Sequence, residues 1–90
     1  MNKAKRDQRG ITVKPNLFAL RRQLELKTGR AYTWGEIAEK AGLNANTVYA
    51  LANNTGQGVR YDTLEKLLAF FRQQGMAIEV GDLFLVEEAA

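Results

Sequence analysis

The sequence predicts an all-α domain of five helices, with a short two-stranded ribbon made from the N- and C-terminal segments. Three observations carry that prediction. Apolar residues recur every three or four positions through most of the chain, as they do on the buried face of a helix. Glycine or asparagine stands wherever such a stretch should stop, at Gly29, Gly42, Asn54 and Gly75. Only two short patches rich in β-branched or aromatic residues occur, ITVK at 11–14 and FLV at 84–86, one near each end.

Residues 1–10 are polar and basic without periodicity, and they read as an arm ahead of a single domain at 11–90. The patch at 11–14 alternates like a strand, Pro15 stops it, and Asn16 is placed to cap the helix that follows. That first helix spans 17–28. Leu17, Leu20 and Leu24 form its buried stripe, Phe18 and Leu26 flank it, and Tyr32 in the connector tucks inward. The second helix opens on Thr33-Trp34-Gly35-Glu36, which fits the reciprocal cap in which a hydroxyl and a carboxylate each take a free N–H. Ile37, Ala38 and Ala41 then share a face, and Gly42 ends the helix by allowing a positive φ.

The third helix, 44–53, begins on Asn44. Val48 and Leu51 face inward, while Asn46, Tyr49, Ala50 and Asn53 lie on the far side. A fourth helix at 61–74 buries Tyr61, Leu64, Leu67, Leu68 and Phe71, with Asp62 and Glu65 complementing its N-terminal dipole. A short fifth turn of helix falls around 80–83. The segment 84–86 then has 11–14 as its natural mate, because a lone strand leaves its backbone unpaired.

The 90 residues suffice for one domain, with no room for a second, ligand-sensing one. Histidine and cysteine are both absent, which removes the commonest general base, the commonest metal ligand and any thiol nucleophile. No glycine-rich phosphate loop follows a strand. An enzyme is therefore not expected, nor a cofactor, nor a metal site. The longest apolar runs, 67–71 and 83–86, are far short of the roughly 20 residues that span a bilayer, so a cytoplasmic protein with no membrane partner is expected. The net charge of +3 conceals an asymmetry: residues 1–60 carry eleven Lys and Arg against four acids, and residues 61–90 carry two against six. A basic front half points to a polyanionic partner.

Two short helices joined by Gly42-Leu43-Asn44 make a helix-turn-helix at 33–54. The opening T-x-x-E-I-A-x-x-A-G-L-N, the following V-x-x-L-x-N-N, "RYDTLEKLL" at 60–68 and "VGDL" at 80–83 together resemble the Cro/C1-type, phage repressor-like (XRE) family of regulators from bacteria, phages and plasmids. The resemblance covers roughly residues 16–84. It implies a five-helix lambda-repressor-like domain, a homodimer, and a sequence-specific regulator of transcription, most often a repressor, whose third helix enters the major groove of double-stranded DNA.

Carried over position by position, Asn44, Ala45, Asn46, Tyr49 and Ala50 fall where the family reads bases. Thr33, Trp34, Asn53, Asn54 and Arg60 fall where it holds the DNA backbone. Lys3, Lys5, Arg6 and Arg9 belong to an arm of the kind that some relatives wrap on DNA. Asn46 suits adenine N6/N7, and Ala45 or Ala50 suits a thymine methyl. Each has a plainer reading too: Asn44 as a helix cap, Ala45 and Ala50 as helix formers, Tyr49 and Trp34 as packing residues, the arm as a tail. The chain departs from the family at Trp34, where glutamine is common, at Ala52, where an acid is common, and in the uncharged loop 55–59. A second function stays open: an antitoxin or adaptor whose main partner is a protein, such as a toxin.

Overall fold

A computed structural model describes residues 10–55 and 58–88. The basic arm residues Lys3, Lys5, Arg6 and Arg9 lie outside the described residues. In chain order the elements are β1 (Ile11–Pro15), α1 (Leu17–Thr28), α2 (Trp34–Ala41), α3 (Ala45–Ala52), α4 (Tyr61–Gln73), one 3-10 turn (Val80–Leu83) and β2 (Phe84–Glu88).

This corrects the all-α, five-helix, lambda-repressor-like expectation. Four α-helices and a two-stranded antiparallel sheet make a small α/β fold. The segment foreseen as a fifth helix is only a single 3-10 turn, and its sequence explains why. Gly81 weakens any helix it occupies. Glu79 and Asp82 close a capping box within four residues, the Glu79 N–H donating to the Asp82 carboxylate at 2.8 Å. Phe84, Leu85 and Val86 then favour extended backbone, and β1 offers a ladder for it. Residues 11 to 15 pair with 88 to 84, so that Val13 faces Val86 and Pro15 faces Phe84. Both strands run further than the sequence shows, through Pro15 and through Glu87-Glu88.

One core joins the helices. Leu17, Leu20 and Leu24 of α1 meet Ile37 and Ala38 of α2, Val48 of α3 and Leu67, Phe70 and Phe71 of α4. Burying a large apolar side chain fully contributes roughly 1.5–3 kcal/mol, so this cluster supplies most of the stabilisation. Met76 and Ile78, which the sequence leaves in a connector, and Leu83 of the 3-10 turn are buried in the same core. Two local expectations need correction. Tyr61 is 84% exposed although Thr63 and Leu64 of the same turn are buried, and Phe70 takes a place in the core that the spacing did not assign to it. Phe18 and Leu26 flank the buried stripe of α1 and are exposed. Asn16 makes no side-chain cap on α1: its backbone N–H donates to the Leu83 carbonyl at 2.8 Å and ties the two ends of the domain together.

Candidate nucleic-acid interface

The corner between α2 and α3 is built by small residues. Ala38 is fully buried where α3 crosses α2, leaving no room for a longer side chain. Gly42 has φ 76°, a left-handed conformation that a side chain disfavours, and its Cα faces open space, so the demand there is on the backbone alone. The Leu43 N–H then donates to the Ala38 carbonyl at 2.8 Å and closes the turn.

Asn44 is the N-cap of α3. Its Oδ1 accepts the Asn46 N–H at 2.7 Å, which orients the side chain and leaves its amide NH2 to donate outward. Val48 and Ala52 fasten α3 to the core, with Leu51 half-buried beside them. Ala45, Asn46, Tyr49 and Asn53 are exposed on the other side, and Ala50 is half-buried. Thr47, which the sequence reading passed over, is exposed as well. It shares with Ala50 and Arg60 a groove of about 240 Å3 between α3 and the start of α4. Its position next to Asn46 was the available signal.

The far end of α3 is closed by the chain itself. The Asn53 N–H donates to the Tyr49 carbonyl at 3.0 Å, and Thr55 donates its N–H to the Ala50 carbonyl at 2.9 Å. Asn54 has φ 56°, a turn that asparagine tolerates better than most residues. The side chains of both asparagines stay exposed.

At the start of α2 the Thr33 hydroxyl accepts the Glu36 N–H at 3.0 Å. The reciprocal half of the cap is absent among the described residues, because the Glu36 carboxylate turns to Arg30, 2.8 Å away. The hydrogen bond from that guanidinium holds the Glu36 carboxyl below the usual carboxylate range, and the same bond raises Arg30. The first turn of α2 thus keeps its free N–H donors with the adjacent carboxylate neutralised. Trp34 is a packing residue, 7% exposed: its ring meets Phe18 edge-on at 5.2 Å and carries the Arg21 guanidinium at 4.3 Å. That leaves it little surface for a phosphate. Ala52 is buried, so position 52, where the resemblance would put an acid, is part of the core.

Arg60 stands at the N-terminal end of α4, its side chain 84% exposed, with Nε 3.2 Å from Asp62. An ion pair so exposed is weak, and the guanidinium can exchange it for another anion. Lys66, six residues further along, reaches the Gly42 carbonyl at 3.5 Å and puts a cation beside the corner. No local signal in the sequence places it there. The stretch from 41 to 59 carries no charge at all, so any phosphate attraction comes from the cations around α3 and not from α3 itself.

Comparison with protein-family models, curated proteins and solved structures finds no match. No helix among the described residues is long and apolar enough to cross a membrane.

Proposed function

We propose that the protein is a sequence-specific double-stranded DNA-binding regulator of transcription, acting in the cytoplasm as a homodimeric repressor of the Cro/C1 type. The observation that carries this reading is the division of α3. One side is anchored by Val48 and Ala52, and the other offers the amides of Asn46 and Asn53, the small Ala45 and the ring of Tyr49 to an approaching surface. Nothing in the protein's own packing requires amides there, whereas base edges in a major groove do. Asn46 pairs with adenine, Ala45 and Ala50 meet thymine methyls, and the Asn44 NH2 donates to an acceptor on a base.

Asn53, Asn54, Thr33 and the first-turn N–H groups of α2 hold phosphates, and Arg60 adds the charge. Bound in this way, the protein represses by obstruction. Two copies reading inverted half-sites would set their α3 helices about 34 Å apart.

Selection of bound duplexes from a random pool tests the reading. The expected product is one short sequence, inverted and repeated about one helical turn away, with binding that weakens steeply as salt rises. A pool that shows no enrichment rejects it. The uncharged span from 41 to 59 favours the second reading, a protein-binding adaptor or antitoxin, which the same unenriched pool would leave standing.

A further inference from the structure

Two helical faces, far from α3 in sequence and opposite in charge, carry apolar side chains that the described residues leave uncovered. The first runs along α1. Phe18, Arg22 and Leu26 follow one another at steps of four, so they are neighbours on one side of that helix. Phe18 is 55% exposed and Leu26 77%, with the exposed Arg22 between them. Arg21 and Arg30 flank this face, and its acid, Glu25, accepts the Tyr32 N–H at 2.8 Å.

The second face is a groove of about 360 Å3 where α4 meets the 3-10 turn, lined by Tyr61, Leu64, Glu65, Leu68 and Val80. Tyr61, Glu65 and Leu68 stand at steps of four and three. They make a second row on α4, apart from the Leu67, Phe70 and Phe71 that the core uses. Tyr61 lies almost wholly in water, and Val80 is 50% exposed. The segment 61–90, which builds the groove, carries six acids against two bases. Large apolar side chains gathered on a surface mark a place that binds.

We infer that the α1 face of one copy docks head to tail into the α4 groove of a second copy, with Arg22 meeting Glu65 between two sets of apolar side chains. The occupant is a second copy because each face supplies what the other lacks. Each presents an apolar, charged, apolar row: Phe18, Arg22 and Leu26 on one, Tyr61, Glu65 and Leu68 on the other. The two central charges are opposite, and neither Arg22 nor Glu65 forms an ion pair among the described residues. Two α1 faces would set Arg22 against Arg22, and two α4 grooves would set Glu65 against Glu65, so like faces repel and unlike faces attract. The two faces share no residue, so neither is consumed when the other is used.

A head-to-tail contact between unlike faces extends into a row of copies or closes as a ring, so it does not stop at two. This goes beyond the proposed function, which needs only a symmetric pair on DNA, and its test contains no DNA. In sedimentation equilibrium at low salt, the mass of the wild-type chain should climb past that of a dimer as concentration is raised. It should fall back as salt rises, because an ion pair lies at the centre of the contact.

Charge reversal tests the pairing itself. Arg22→Glu alone and Glu65→Arg alone should each weaken the association by about tenfold or more, since like charges then meet. The double variant carrying Arg22→Glu and Glu65→Arg should recover it, because the pair is restored with its signs exchanged. Both positions are exposed, so the fold should accommodate all three variants. Tyr61→Gln and Leu26→Gln, also at exposed sites, should each weaken the association by removing one apolar partner. A mass that levels off at or below the dimer, single reversals without effect, or a double variant no better than the singles would each overturn the inference.

Discussion

The helix-turn-helix corner and the terminal ribbon are held by different kinds of information. The caps and the turn that shape the corner lie within 33–54, and each acts on a neighbour a few positions away: Thr33 on Glu36, Asn44 on Asn46, Gly42 and Leu43 on Ala38. The ribbon joins residues more than 65 positions apart, and only the finished helical core brings them together. The corner is closed from within, with Ile37, Ala38, Val48 and Ala52 buried. The ribbon is open at its edges and wastes apolar surface on solvent. Local sequence thus shapes the corner, and the fold as a whole brings the two ends of the chain into an open-edged ribbon.

Substitutions can break or sharpen that contrast. The largest effect is expected at Ala38, where α3 crosses closest. Ala38→Leu should overpack the crossing and destabilise by about 1–3 kcal/mol, read as a lower urea midpoint. An unchanged midpoint would mean that the crossing has slack. Next comes the cap of α3: Asn44→Ala should cost about 1 kcal/mol and fray the start of the helix, visible as faster amide exchange at Asn46 and Thr47. On the ribbon, Val13→Thr should change monomer stability by less than about 0.5 kcal/mol, because the side chain is mostly in water already. A loss as large as that at Ala38 would show the ribbon to be part of the core and erase the contrast.

The smallest effect concerns the Arg30–Glu36 pair. Its hydrogen bond lowers the Glu36 pKa in the folded state, so the stabilisation is present above the carboxylate's unfolded pKa and disappears as pH falls through the folded one. Glu36→Gln should flatten the acid limb of the stability profile slightly, measured by thermal melts across that range. A steeper limb would contradict the pairing.

The corner was legible in the sequence because its signals are short-range. The Thr33 and Asn44 caps, Gly42 as the turn, buried Ala38 and Val48, and exposed Asn46 and Asn53 are all as expected. What escaped depends on distance. Tyr61 has the spacing of a core residue, yet the covered face of α4 runs through Thr63, Leu64, Leu67, Phe70 and Phe71, and which face is covered is set by packing against the other helices. The turn at 80–83 carries helix-like signals, yet extended pairing of Phe84–Glu88 with β1 competes for the chain and wins. Asn16 has a capping side chain, but the neighbouring Leu83 carbonyl recruits its backbone instead. Within the candidate interface, the polar residues of α3 could be placed from periodicity. The approach of Lys66 to the turn and the stacking of Arg21 on Trp34 could not, since both join different helices.

The central claim is that the outward amide of α3 reads a base, and Asn46→Ala tests it most directly. Binding of this variant should be measured by titration against the selected duplex and against random duplex at the same salt. The expected result is a loss of roughly 1–3 kcal/mol on the selected duplex, confined to one base pair, with binding to random duplex unchanged. An equal loss on both, or no loss on either, would contradict base reading by α3.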